Sequence, residues 1–207
     1  MSPRRRDAEG TAAARAQRRG ELLDTAARVF AERGYAATTI REVADAAGML
    51  AGSLYYHFES KEAMVDEILT GFLTDLWDAY DRVLAAGRDP RATLRALVEA
   101  SFDTIHRHRP AVVIYQNESR HLVLGDRFGY LGDARTRFRE MWVGLLEQGA
   151  AEGAFRSDLD AQLMYRFIRD SVWAAATWYD PKGRLAPHAI ADQYLAMILQ
   201  GVEPHPR

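Results

Sequence analysis

Cysteine is absent from the 207-residue sequence. Disulfides and thiolate zinc sites are thereby excluded, and nothing argues against a cytoplasmic location. No apolar run approaches the roughly 18–20 residues needed to cross a bilayer, so no membrane partner is expected. Arginines stand near the N-terminus without an apolar segment after them, so no secretory signal is expected. The motifs of catalysis are missing too. There is no G-x-S-x-G, no P-loop and no G-x-G-x-x-G, and Gly125, Gly129 and Gly132 have the wrong spacing. The two imidazoles of His106-Arg107-His108 do not share a helix face, and no close carboxylate–His pattern joins them. Acidic residues are spread over helix faces as solvated charges. These absences exclude a metal site and a bound cofactor and leave no basis for an enzyme.

Forty-eight per cent of the residues are hydrophobic and 27% are charged, as in a soluble globular protein with a substantial core. The net charge of −2 is unevenly distributed. Through Lys61 there are ten Lys and Arg against eight Asp and Glu, leaving seventeen basic and twenty-one acidic residues for the remainder. The first twenty residues hold six arginines and two acids. Basic charge thus gathers at one end, which is where affinity for phosphates would be decided.

That end contains the most informative stretch, residues 38–61, TTIREVADAAGMLAGSLYYHFESK. Ile40, Val43, Ala44 and Ala47 recur at helical spacing, and Gly48 ends the helix. A second short helix is expected over residues 50–57 with Leu54 and Phe58 inward, after which Ser60 caps a third that opens at Lys61. Two helices joined through a glycine turn form a helix-turn-helix, whose second helix lies in the DNA major groove. Thr38 or Thr39 caps the first of the pair, where a hydroxyl and free amides suit a phosphate. Arg41 points away from the apolar face and either reads a guanine, reaches a phosphate or pairs with a neighbouring acid. Ala51, Gly52 and Ser53 are small enough to let the helix approach the groove floor, with Ala51 able to meet a thymine methyl. Base reading then rests on Ser53, Tyr56 and Arg41.

The run Gly52-Ser53-Leu54-Tyr55-Tyr56-His57-Phe58, followed by Ser60-Lys61-Glu62 and Met64, resembles the signature of TetR-family transcriptional regulators. The resemblance implies phosphate contacts from Tyr55, His57 and Lys61, whose phenol, imidazole and ammonium can all donate. It implies three segments: a flexible basic tail over 1–16, a helix-turn-helix DNA-binding domain over 17–62, and a ligand-binding and dimerisation domain over 63–207. The tail, with Arg4, Arg5 and Arg6, is either solvated or an arm lying along phosphates or in a minor groove.

The chain reads as all-α throughout, with about nine helices. Beyond the two short ones, helices are expected over 18–33, 61–86, 91–106, 111–120, about 130–152, from after Asp158 to 179, and over 187–201, with a loop at 121–127. The last two carry apolar faces (Val172, Ala175, Ala176 and Tyr179; Ile190, Tyr194, Met197 and Ile198). The resemblance implies that a homodimer forms through them, the expected eighth and ninth helices, and binds a palindromic DNA operator. Arg166, Arg169, Trp173 and Thr177 follow helical spacing along one face. An arginine with a tryptophan one turn on suits an anionic or planar group; an Arg169–Asp170 surface pair is the other reading.

Ala37-Thr38-Thr39, Met64-Val65-Asp66-Glu67, Val112-Val113-Ile114-Tyr115-Gln116, Met141-Trp142-Val143 and residues 165–170 look like the KstR-type group of actinobacterial repressors, and most like the second, which governs late, ring-degrading steps of cholesterol catabolism. The likeness covers the chain after the tail. It implies a small-molecule effector, a CoA thioester of a partly degraded steroid, meeting Arg169 and Trp173, with Arg166, Tyr115 and Gln116 nearby. Its fused rings would need an apolar cavity of the kind Phe72, Phe102, Ile114 and Trp142 can line.

Overall fold

The computed structural model describes residues 3–202, with side chains from residue 13 onward. Eight α-helices follow one another: α1 Pro3–Arg33, α2 Ile40–Ala46, α3 Ala51–Tyr55, α4 Lys61–Ala85, α5 Pro90–Leu122, α6 Tyr130–Ala151, α7 Ala161–Trp178 and α8 Pro187–Val202. A single 3-10 turn, Asp126–Phe128, precedes α6, and no strand occurs among the described residues. The chain forms two compact units, Met1–Thr70 and Gly71–Arg207. The division falls within α4.

In the first unit, α1 begins at Pro3 rather than near residue 18. Proline suits the first helical position, and the Ala- and Arg-rich stretch that follows consists mostly of good helix formers. The backbone of the expected flexible tail is therefore helical from Pro3. The side chains of Arg4, Arg5 and Arg6 lie outside the described residues, and so does the expected arm. Gly34, at φ 83°, ends α1 by donating its N–H to the Phe30 carbonyl at 2.9 Å. Leu22, Ala26 and Phe30 of α1 are buried, as are Val43, Ala44, Leu54, Phe58 and the first turns of α4 at Met64, Val65, Ile68 and Leu69. These side chains form the unit's core.

In the second unit, α5 is the central element and packs against α6, α7 and α8. Asp89 caps it, accepting from the Ala92 N–H at 3.0 Å, and Pro90 opens it. The helices expected separately over 91–106 and 111–120 are the two segments of α5, divided by a kink at His108, whose backbone (φ −122°, ψ 27°) is not helical, just before Arg109 and Pro110. Pro110 removes one backbone donor and crowds the preceding turn, which interrupts the helical backbone here and starts a second segment. Counted across the kink the helices number eight, and counted at the kink they are the expected nine. The helix also continues to Leu122, so the loop expected from residue 121 starts later. Leu94, Leu97, Val98, Phe102, Ile105, Val112 and Ile114 bury one side of α5. At the far end of α6, a β-carbon at Gly149 would collide with the ring of buried Phe155.

Candidate functional site

The helix-turn-helix is assembled by hydrogen bonds that can be followed residue by residue. Thr39 caps α2 through a reciprocal box: the Glu42 N–H donates to Thr39 Oγ1 at 3.3 Å, and the Thr39 N–H donates to Glu42 Oε2 at 2.8 Å. The Thr39 backbone, its hydroxyl and Arg33 together hold the Glu42 carboxyl below its ordinary range. Thr38, the alternative cap, is instead buried and donates its hydroxyl to the Gly34 carbonyl at 2.7 Å. Gly48 makes the turn at φ 67°, a conformation in which a side chain would be strained. On α3, Leu54 is buried while Gly52, Ser53, Tyr55 and Tyr56 are exposed, and Ala51 and His57 are half-buried. Arg41 is exposed, with no hydrogen bond or ion pair among the described residues. Around α3, then, the small residues Gly52 and Ser53 and the two tyrosines face solvent.

Two basic residues are held by partners within the unit. Lys61 donates to the carbonyls of Tyr35 and Thr38, both at 2.9 Å, and its ammonium sits 4.4 Å from the centre of the Tyr35 ring. It therefore ties the start of α4 to the segment between α1 and α2, rather than standing free for a phosphate. Arg19 lies 4.1 Å over the Phe58 ring, donates to the His57 carbonyl and pairs with Glu67. It is a rivet between α1 and the end of the helix-turn-helix. Arg18 pairs with Glu21 at 3.1 Å.

The sequence reading missed Leu50, which is 80% exposed. Its spacing of four from Leu54 suggests the buried face, but Leu50 is the extended cap residue of α3 (φ −75°, ψ 143°) and leaves the helical period. Arg15, whose guanidinium lies 5.1 Å from the centre of the Tyr56 ring, was also missed.

The second unit holds a cavity of about 350 Å³. Six of the nine expected ligand residues line it: Phe72, Tyr115, Gln116, Trp142, Arg169 and Trp173. The Phe72 ring stands edge-on to Tyr115 and Trp173, at 5.7 and 6.2 Å. Phe102 does not reach the cavity; it is buried against Tyr194, ring centres 5.9 Å apart. Ile114 is also buried outside the lining. Arg166 is exposed and lies outside it as well, because Tyr165, one residue earlier, takes the inward position on that turn. Burial pushes the Tyr115 phenol up to about 12 and raises Tyr165, so both remain neutral donors near pH 7. Arg169 is paired with Asp170 at 2.7 Å and sits 5.5 Å from the Tyr165 ring centre. Lining residues the sequence did not single out include Tyr165, Phe138, Arg120 and Arg135. Tyr165 was accessible from its i, i+4 spacing to Arg169; the other three come from α5 and α6 and have no signal in the α7 pattern.

The two central histidines are divided between partners. His106 Nδ1 is hydrogen-bonded to the Tyr179 hydroxyl at 2.7 Å, and His108 Nε2 to Asp75 at 2.8 Å. No group of three or more His, Asp or Glu suited to a metal occurs among the described residues.

The apolar face assigned to dimerisation is corrected in α7. Val172, Ala175, Ala176 and Tyr179 are buried within the unit and are core. The apolar side chains that α7 leaves exposed are Leu163, Phe167, Ala174 and Trp178, which recur at steps of four and seven and share one stripe. On α8, Met197 is 63% exposed, Ile190 and Ile198 are half-buried, and Tyr194 is buried, bonded through its hydroxyl to Ser171 at 3.0 Å. No helix among the described residues is long and apolar enough to cross a membrane.

Comparison with known proteins agrees with this division of labour. Residues 22–68 match the family described as bacterial regulatory proteins, tetR family, and residues 87–202 match the tetracyclin repressor-like C-terminal domain. The chain is 54% identical over 189 residues to the HTH-type transcriptional repressor KstR2 of Rhodococcus jostii, covering 91% of this chain and 93% of that one. Its fold superposes with a TM-score of 0.88 on the ketosteroid transcriptional regulator KstR2 of Mycobacterium tuberculosis, at 49% identity, covering 91% of this chain and 96% of the other. A TM-score of 0.74 at 25% identity relates it to AibR, solved in complex with isovaleryl coenzyme A and operator DNA, over 87% of this chain and 97% of that one. With a helix-turn-helix built as described and matches over both units, the chain belongs to the TetR family of transcriptional regulators.

Proposed function

We propose that the protein is an operator-binding homodimeric repressor, released from DNA by a CoA thioester of a steroid-degradation intermediate. The observation that carries this reading is the cavity: aromatic walls from Phe72, Tyr115, Trp142 and Trp173 and a cationic edge meet in one place. Its volume of about 350 Å³ lies within the roughly 300–1,000 Å³ of small-molecule sites. Such a space suits a fused-ring body, and a nucleotide-bearing tail would extend past the edge. The similarity to KstR2 repressors supports a steroid-derived effector. That to AibR supports a coenzyme A thioester, and also favours a second reading in which the acyl group is not a steroid.

On this reading the dimer forms through α7 and α8, with Leu163, Phe167 and Trp178 buried against the partner copy. Two recognition helices then face the half-sites of a palindrome. Ser53, Tyr56, Arg41 and Ala51 read bases, with Gly52 allowing close approach, and Thr39, Tyr55 and His57 position the phosphates. A regulator of this kind works where the chromosome is, in the cytoplasm. Effector binding alters α4 and with it the spacing of the recognition helices. By linkage, operator lowers effector affinity by the same factor, commonly about 1–3 kcal/mol of coupling. The test is fluorescence anisotropy on DNA upstream of the protein's own gene, with and without a steroid-derived CoA thioester. Salt-sensitive binding released by the thioester is the expected result. Binding that the thioester leaves unchanged removes the effector, and absence of binding to any genomic site removes the repressor.

A further inference from the structure

Most arginines of the first unit are already engaged. Arg18 pairs with Glu21, Arg19 with Glu67 and Arg33 with Glu42, while Arg28 turns back to the Asp24 carbonyl and the Thr25 hydroxyl. Arg15 and Arg41 carry no hydrogen bond or ion pair among the described residues. Arg41 stands on α2, inside the helix-turn-helix. Arg15 stands on α1, ahead of the stretch 22–68 that matches the TetR family. Its guanidinium nevertheless lies 5.1 Å from the centre of the Tyr56 ring, and Tyr56 is the residue that caps the C-terminal end of α3.

Both side chains are exposed, and a cation–π contact in water is weak, so the pair adds little to the stability of the unit. What it supplies is direction. Four residues further along α1, Arg19 lies over the Phe58 ring in the same manner, but Glu67 answers its charge. No carboxylate stands three or four residues from Arg15, where the sequence has Thr11, Ala12, Arg18 and Arg19, so its charge is left over. The Tyr56 ring is in turn edge-on to His57, with ring centres 5.4 Å apart. In a helix-turn-helix the first residues of the second helix meet base edges, which brings its C-terminal end to the rim of the groove. The rim is lined by phosphates, and a planar guanidinium with unused N–H groups is suited to take a phosphate through two oxygens.

From this arrangement we infer that Arg15 is a phosphate contact of the operator complex, with the Tyr56 ring as the platform that holds it in place. The inference rests on the reading of α3 as the DNA-facing helix, and it adds a residue from outside the helix-turn-helix. A double-mutant cycle on the full-length protein tests it, read by fluorescence anisotropy over a salt series on the upstream DNA and on a scrambled duplex of equal length. Arg15→Ala is expected to weaken binding to both duplexes several-fold and to lower the salt slope by about 0.9 per half-site, hence about 1.8 for a dimer. Arg15→Lys should restore the slope and only part of the affinity, because an ammonium returns the charge without the fork. In a Tyr56→Phe background, which keeps the ring, Arg15→Ala should cost the same factor as in wild type; in Tyr56→Ala it should cost a clearly smaller one. The urea midpoint of Arg15→Ala should equal that of wild type. An unchanged slope in Arg15→Ala overturns the phosphate contact, and a lowered midpoint overturns it too, because it marks a structural role. Equal factors in the Tyr56→Phe and Tyr56→Ala backgrounds overturn the platform. Wild-type protein that binds neither duplex in a salt-sensitive way overturns the reading of α3 itself, and the assignment with it.

Discussion

Lys61→Ala separates two accounts of the same residue. As a phosphate contact, Lys61 would matter only when DNA is present. In the structure its ammonium joins two backbone carbonyls and faces the Tyr35 ring. A hydrogen bond involving a charged group contributes about 1.5–3 kcal/mol, and a cation–π contact at an exposed site about 0.5–1 kcal/mol. Lys61 is half-buried, and water reaches part of what the mutation uncovers. The terms are therefore not additive, and the expected loss is about 2 kcal/mol. With urea slopes of about 1–3 kcal/mol/M, the unfolding midpoint of the DNA-binding unit should fall by roughly 1 M. Circular dichroism follows the helices, and anisotropy on the upstream DNA follows the head. The deciding quantity is the salt dependence of binding, measured below the unfolding transition. Loss of a phosphate contact lowers the slope by about 0.9 per site, hence about 1.8 for a dimer. We expect an unchanged slope with a lowered midpoint. An unchanged midpoint with a reduced slope would refute the structural account and return Lys61 to the phosphates.

Gly149→Ala should lower the melting temperature by several degrees, since its methyl group meets the Phe155 ring in the core and overpacking costs about 1–3 kcal/mol; an unchanged scanning-calorimetry midpoint would show that Phe155 moves aside freely. Phe167→Glu introduces a charge into the exposed stripe of α7, and sedimentation equilibrium should then show monomers with the helical spectrum retained; an undiminished dimer would move the interface elsewhere. Leu50→Ala should weaken operator binding by several-fold if this exposed side chain packs on a thymine methyl. Replacing operator thymines by uracil one at a time should reproduce the loss in wild type at one position and add nothing there in Leu50→Ala.

The helix-turn-helix was legible because its signals are local. A threonine before a periodic run is a cap and a glycine after it is a stop; of the two candidate caps the structure uses Thr39, adding a reciprocal bond to Glu42, and Gly48 makes the turn. The ties made by Lys61 and Arg19 were not legible for the opposite reason. Their partners, Tyr35 and Thr38 in one case and Glu67 and the His57 carbonyl in the other, lie 23 to 48 residues away in sequence. A basic side chain near a DNA-binding motif has the same appearance in one dimension whether it faces phosphate or folds back onto a carbonyl. Leu50 shows a third cause: a periodicity argument holds only for residues inside the helix, and this one is its extended cap.

The same distinction explains the second unit. Periodicity identified an apolar face on α7, and that face exists; it does not say whether the chain's own helices or a second copy covers it. Val172, Ala175 and Ala176 are covered from within by the unit's core, so the surface left for a partner is the stripe of Leu163, Phe167, Ala174 and Trp178 that runs beside them. Pro110 follows the break between the two segments of α5, as its missing donor and its ring dictate. Here the turn is held: His108 is bonded to Asp75 of α4, and His106 to Tyr179 beyond α7. The bend therefore lies where α5 is tied to the elements on which Phe72 and Trp173 sit. A helix straightened by Pro110→Ala would have to break one of those ties or carry them along. Either response alters the spacing of Phe72 and Trp173, and Trp173 fluorescence in that variant should shift even with no ligand present.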